Sequence, residues 1–249
     1  MYEKPRILPF GDKGIVVEFG NEITVECNEK VVNLYRILKK ESRQGIISMI
    51  PTYRSLLVKY NPLQISYNEL IKYVSEKMDK EVEIKEEFKP QVYEIPVVYG
   101  GEFGPDLEFV AKHNNLSIEE VIAIHSAPLY RIYMVGFTMG FAYLGGMSEK
   151  IATPRLETPR TEIKAGSVGI AGNQTGIYPL SSPGGWRIIG KTPVRLYDQE
   201  REKPILFEAG NYIKFIPVSE EEYYKIEKEI QEGKYQLRIY EYLNHNLSG

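Results

Sequence analysis

The chain has 249 residues, 43% hydrophobic and 26% charged, with a formal net charge of -3. That length holds one large domain or two small ones, and the composition is that of an ordinary soluble globular protein. The slight negative charge gives no footing for nucleic-acid binding, although basic groups can still gather locally around an anion. The single cysteine, Cys27, excludes an intrachain disulfide, fits a reducing compartment and reads as packing. The N-terminus lacks the apolar core of a signal peptide and no stretch is long enough to span a membrane, so the expected location is cytoplasmic.

The first ninety or so residues alternate strand and helix signals. Ile7–Phe10 and Ile15–Phe19 read as strands around a Gly-Asp-Lys-Gly turn. Asn28 is the expected cap of a helix with the apolar stripe Val31, Leu34, Tyr35 and Leu38, ended by Gly45. Ile46–Ile50 and Ser55–Tyr60 are strand-like, with Pro51 at the corner. Ser66 and Glu69 form a capping box for a second helix carrying Leu70, Tyr73 and Val74. A charged segment, Lys77–Lys89, follows, with a further strand signal at Val82–Ile84. This pattern predicts a compact α+β unit of the split βαβ type, ending near residue 88.

Beyond that boundary Val92–Tyr99 reads as a strand, and Asp106 and Ser117 each start a short helix, the second with a Ser117/Glu120 capping box. After Pro128 the helical signal fades. Arg131–Val135, Ser167–Ala171, Trp186–Ile189 and Val194–Tyr197 are short β-like runs separated by Gly and Pro, which predicts a barrel or sandwich over 89–249. A late helix starts at the Ser219/Glu222 capping box and stops at Gly233, and Tyr235–Tyr240 reads as a closing strand.

Chemistry is expected between His125 and Pro193. Glycine weakens a strand interior, so its density over 136–146 and 165–176 serves either sharp corners or close approach of backbone to a ligand. Arg155 and Arg160 each follow a Thr-Pro pair, which stiffens the backbone before the guanidinium. With Lys164 and Arg131 they form an anion-binding set, or else a solvated basic loop. Asn173 and Gln174 can read an amide or carboxylate. Phe137, Phe141, Tyr178 and Trp186 are expected pocket walls, or core. His125, one of three histidines, ends a predicted helix. Its ring stabilises the last carbonyls, the reading we favour, or does acid–base work. No histidine pair or cysteine cluster suggests a bound metal. Gly185–Thr192 matches the phosphate-loop pattern G-x-x-x-x-G-K-[ST], but its interior Trp-Arg-Ile-Ile is strand-like and no amphipathic helix follows Pro193. No G-x-S-x-G nucleophile elbow is present.

Several of these runs form one recognisable set: Gly136–Gly146, Ala152–Arg160, Ala165–Leu180, Ser182–Trp186 and Tyr99–Leu107. On them the chain resembles the KipI family, whose members are also called allophanate hydrolase subunit 1 and the B subunit of 5-oxoprolinase (PxpB-like). The resemblance implies a ferredoxin-like N-terminal domain (1–88) followed by a cyclophilin-like β-barrel (89–249). It also implies two partners, the KipA-like C subunit of 5-oxoprolinase and its A subunit, in the ATP-dependent opening of 5-oxoproline to glutamate. ATP, with magnesium, then belongs to the assembled complex and is not tightly bound to this chain. The resemblance carries over no assigned catalytic set, so the site residues rest on local chemistry: Arg160, Lys164 and His125 are the candidate catalytic residues. Arg131, Arg155, Asn173, Gln174, Phe137, Phe141, Tyr178 and Trp186 are the candidate substrate contacts. Met139 stands where the family usually has proline, and Lys191 where it often has arginine. Other functions compatible with the resemblance are inhibition of a sensor histidine kinase, action on a urea- or allophanate-type amide, and prolyl isomerisation.

Overall fold

The computed structural model describes residues 1–79 and 88–243. The expected strand at Val82–Ile84 lies outside the described residues. The chain divides into two compact units, Met1–Lys89 and Pro90–Gly249.

The first unit is a four-stranded antiparallel sheet with two helices. Its elements are β1 (Arg6–Pro9), β2 (Gly14–Glu18), α1 (Val25–Glu41), β3 (Ile46–Pro51), β4 (Ser55–Tyr60) and α2 (Tyr67–Asp79), and the sheet order is β1-β2-β4-β3. Alternation in β2 and β4 sends Ile15, Val17, Leu56 and Val58 to one face, where Leu34 of α1 and Leu70 of α2 cover them. Helix α1 starts earlier than the Asn28 signal suggests. Thr24 is its N-cap, accepting from the Cys27 amide at 3.1 Å. Asn28 is instead fully buried inside the first turns, where it donates to the Thr52 and Tyr53 carbonyls at 3.2 and 3.4 Å. The helix also closes before Gly45, at Ser42, whose φ of 44° provides the left-handed cap. The Ser66/Glu69 box forms as expected, with both reciprocal bonds made. Cys27 is fully buried, and burial pushes its thiol pKa up, which keeps it an inert packing group.

The second unit is built on a nearly closed sheet. Its strands are β5 (Gln91–Tyr99), β6 (Tyr130–Val135), β7 (Ala142–Gly145), β8 (Arg160–Ile163), β9 (Ser167–Ala171), β10 (Gln174–Ile177), β11 (Ser182–Gly184), β12 (Arg187–Lys191), β13 (Tyr212–Pro217) and β14 (Ile239–Glu241). Its helices are α3 (Leu107–His113), α4 (Ile118–Ser126) and α5 (Glu220–Gln231). The main sheet runs β10-β9-β12-β5-β13-β6-β7, with β14 on β5, and β10 and β7 at its two ends lie against each other. The chain is therefore an α+β protein with a barrel-like second unit. Ile95, Val97, Ile132, Ile170, Ile189 and Phe215 fill the barrel and are fully buried. Near-complete closure leaves little open edge, which suits so many short strands.

Three strand expectations change. Val194–Tyr197 is irregular apart from one bridge, Tyr197 to Ile205, because Pro193 interrupts the backbone and Thr192 Oγ1 takes the Val194 amide at 3.2 Å. The closing strand covers only Ile239–Glu241. Strand β13 has no counterpart in the sequence reading, yet it pairs in parallel with β5 over Val92–Val97 and so lies at the centre of the sheet. No helix among the described residues is long and apolar enough to cross a membrane.

Candidate functional site

The run Tyr99–Leu107 works as a clasp. After β5 the chain turns through Gly100 and Gly101, both at positive φ, and folds back over β12. A Cβ on Gly104 would lie 2.1 Å from the Ile189 carbonyl oxygen, so only glycine permits this approach. Asp106 then holds the contact. Its carboxylate accepts the Ile188 amide at 2.6 Å and both terminal nitrogens of Arg160, at 2.9 and 3.0 Å. Asp106 precedes α3 as expected, but its side chain makes no capping bond there. Arg160 is thus bidentate to a buried carboxylate, with its Nη1 also 3.4 Å from the Trp186 carbonyl. Its charge is already neutralised, so it is no free anion clamp.

Arg160 borders a groove of about 370 Å³ between β8, β12 and α5. Lys164 and Lys191 line one part of it, with Ser167, which faces Lys191 across the β9–β12 ladder. Neither lysine has an ion-pair partner among the described residues. The far side carries Phe103, Tyr223, Tyr224 and Glu227. Lys191 lies 6.0 Å from the Tyr223 ring centre, and the Tyr223 hydroxyl donates to Glu227 at 3.2 Å. Burial, then the Glu227 carboxylate, push the Tyr223 hydroxyl pKa far up, so it remains a donor. Sequence reasoning missed Ser167, Lys191, Tyr223 and Glu227 as groove residues. The available signal was the Tyr223/Glu227 spacing of one helical turn on α5.

The four predicted aromatic walls do come together. Phe141 meets Phe137 at 6.1 Å, Tyr143 at 5.1 Å and Trp186 at 5.9 Å, all edge to face, and Trp186 meets Tyr178 at 6.2 Å. Gly176 makes room for them, since a Cβ there would lie 3.3 Å from both Phe141 and Trp186 ring carbons. Arg155, exposed, sits 5.9 Å from the Trp186 ring centre. At the rim Phe137 is 85% exposed with φ of 64°, a conformation a bulky residue rarely holds without a reason. Met139, at the family's proline position, is exposed beside it.

The remaining predicted residues lie elsewhere. His125 is fully buried, and burial holds its pKa down to about 3. The Thr175 hydroxyl donates to the Gly169 carbonyl at 3.0 Å, so it accepts from His125 Nε2–H at 2.8 Å. The His125 Nδ1 then accepts from the Tyr99 hydroxyl at 2.8 Å. Both nitrogens are taken and the ring stacks on Phe215 at 4.6 Å, so it neither joins the groove nor bonds the last carbonyls of α4. Arg131 is buried on β6 and donates to the Tyr212 hydroxyl at 3.1 Å, outside both the groove and the aromatic cluster. Asn173 is exposed in the two-residue turn joining β9 to β10, and Gln174 opens β10 opposite Ala171. The phosphate-loop match is β12 with its flanks: the stretch is a strand and no helix opens after it, so it lacks the loop-to-helix geometry the pattern requires.

Comparison with known proteins decides the family. The carboxyltransferase domain, subdomain C and D, matches residues 5–207. The B subunit of 5-oxoprolinase from Bacillus subtilis is 44% identical over 234 residues, 90% of this chain and 97% of that protein. The chain belongs to the family of 5-oxoprolinase B subunits. Among solved structures, a conserved uncharacterized protein of Pyrococcus horikoshii is 52% identical with a TM-score of 0.52, covering 88% of this chain and 100% of that one. The protein TTHA0988 is 36% identical with a TM-score of 0.74, and the alignment spans 83% of this chain but only 40% of that longer one. Kluyveromyces lactis urea amidolyase shares the fold, with a TM-score of 0.73 at 20% identity over 96% of this chain and 16% of that one.

Proposed function

We propose that this chain is the B subunit of a cytoplasmic, ATP-dependent 5-oxoprolinase, inactive alone and completed by two further proteins, the KipA-like C subunit plus the A subunit. The observation that carries the reading is the B. subtilis relative, named as the B subunit of 5-oxoprolinase and matched over 97% of its length. The β2-β4-β3 order with α1 and α2 supports a ferredoxin-like first unit, and the nearly closed sheet supports a cyclophilin-like second one.

In this reading the aromatic cluster is the wall on which a small lactam packs, with Arg155 for its carboxylate. An unstrained lactam resists water. Phosphoryl transfer from ATP to its amide oxygen turns that oxygen into a leaving group, and the charge of the transferred group needs cations. The described residues of this chain are a poor fit to that nucleotide. Arg160 is neutralised by Asp106, and the one stretch with a phosphate-loop spacing is a strand. We therefore place the nucleotide, with magnesium, on the partner subunits, and assign this chain the binding and walling-off of the substrate.

The test is co-expression with the C and A homologues, followed by ATP hydrolysis with and without 5-oxoproline. The reading expects a stable complex with lactam-dependent ADP release. A stable complex active on a urea-type amide instead would redirect the substrate assignment, and no complex at all would overturn it.

A further inference from the structure

The β6–β7 connection makes two turns in succession over 136–141. In the second, the Phe141 amide donates to the Thr138 carbonyl at 3.1 Å and Gly140 has φ of 87°. That is the arrangement of a type II turn, whose third position needs positive φ and whose second favours proline. Glycine stands at the third position and Met139 at the second, so this turn is chemically ordinary. The first turn is not. The Thr138 amide donates to the Gly136 carbonyl at 2.8 Å, which closes a three-residue γ-turn on Phe137, at φ of 64°. This is the rare and strained form of that turn. The other non-glycine residues at positive φ among those described, Ser42 and Asn115, are small polar residues at helix ends, where a left-handed residue stops the helix. Phe137 ends no helix. Gly136, just before it, lies outside the left-handed region, and a Cβ there would meet nothing within 4 Å. The glycine therefore stands one residue away from the position whose φ asks for it.

Packing does not offset the strain. The Phe137 ring is 85% exposed and meets Phe141 edge to face at 6.1 Å. Phe141 in turn meets Trp186 at 5.9 Å, and Arg155 lies 5.9 Å from the Trp186 ring centre. Phe137 is thus the exposed end of the wall to which the proposed function assigns the lactam and its carboxylate. The tip that carries it is anchored at Gly140, where a Cβ would lie 3.3 Å from the Leu196 carbonyl oxygen and from side-chain carbons of Pro179 and Tyr197. A strained backbone that holds an apolar ring in water is a cost in the free chain, and a ligand that covers the ring recovers part of it. We propose that Phe137 is a substrate-contacting residue, its strained turn holding the ring ready to cover the apolar face of a bound lactam, and that it sets the site's preference for the closed ring. The inference rests on the reading of the aromatic cluster as the lactam wall. Glutamate, the opened form, adds an ammonium and a second carboxylate, and covering it with Phe137 would strip water from those charges.

The experiment pairs urea unfolding with titration of the isolated full chain by 5-oxoproline and by L-glutamate. The chain has a single tryptophan, Trp186, so its fluorescence reports on the wall. F137G removes strain and ring together. Its urea midpoint should rise above wild type while 5-oxoproline binds about tenfold more weakly. F137L keeps the strain and loses the ring, so binding should weaken with no rise in midpoint. F137Y keeps both, and M139P stiffens the tip while keeping the ring, so each should bind within about twofold of wild type. Wild type should prefer 5-oxoproline to glutamate by about tenfold, a ratio that F137G shrinks. A lower midpoint in F137G would mean that the ring is structural and the turn unstrained, which overturns the proposal. So does the absence of a 5-oxoproline response in wild type, or an unchanged affinity in F137G. If F137G binds 5-oxoproline normally but fails to assemble with the C homologue, the ring is an interface residue and the proposal is wrong. Because turnover is not read, failure here leaves the subunit assignment standing, and failure of reconstitution leaves Phe137-dependent binding intact.

Discussion

Asp106 joins a helix start, a strand and a guanidinium through one carboxylate. At 6% exposure it accepts from the Ile188 amide and doubly from Arg160, with Arg187 at 3.9 Å. Removing it leaves a buried backbone donor and a partly buried cation without their acceptor. We expect D106A to lower unfolding free energy by about 3 kcal/mol, read as a shift in the urea midpoint. D106N keeps one acceptor and should cost less. His125 carries a second residue-scale prediction. Its folded pKa of about 3 lies below the unfolded value near 6.5. The unfolded chain therefore binds the proton first as pH falls. Stability from the neutral ring is full above about pH 6.5 and is lost progressively between there and about pH 3, by up to about 1.4 kcal/mol per pH unit. H125F should flatten that part of the stability–pH curve while lowering stability at pH 7. A curve of unchanged slope would contradict the buried, neutral ring.

At the scale of elements, the 100–105 turn and β12 are held together by backbone as much as by side chains. The Gly100 amide donates to the Ile189 carbonyl at 3.0 Å and the Asp106 amide to the Ile188 carbonyl at 2.8 Å. A G104A side chain would meet that same Ile189 carbonyl, which cannot rotate away, so we expect a loss of about 2–3 kcal/mol in thermal or urea unfolding. The elements themselves were largely legible. Alternation in Ile15–Phe19 and Ser55–Tyr60, the capping boxes at Ser66 and Ser117, and the Ser219 cap, which forms without the return bond from Glu222 among the described residues, are local signals that tertiary contacts leave in place. What misled was local chemistry with two outlets. Asn28 and Asp106 have cap-type side chains, but each bonds distant backbone or a distant arginine instead. The site was legible only in part. The four aromatics were named from the sequence and do gather, with Gly176 leaving room between Phe141 and Trp186, but the sequence left open whether the glycine-rich runs make corners or close approaches. The groove brings Tyr223 and Glu227 of α5 to the same lining as Lys191 of β12, a juxtaposition no sequence spacing announces.

For the molecule as a whole, each unit has its own core. Ile15 to Val74 close one cluster and Tyr93 to Phe215 another, with no buried member shared. Separately expressed 1–89 and 90–249 chains are expected to unfold cooperatively by circular dichroism, since each carries a complete apolar core. A featureless melt for either would show that its core is insufficient alone. The functional account rests at this scale too, because the family relationship spans 90% of the chain while no complete catalytic constellation is seen among its described residues. The proposed function accounts for both by having the partner subunits supply the rest of the site. The most direct measurement is glutamate formation from 5-oxoproline and ATP by the three purified subunits together, with each one omitted in turn. The account predicts glutamate from the complete set and none without this chain. A complete, correctly assembled set that makes no glutamate, or equal glutamate without this chain, would contradict it.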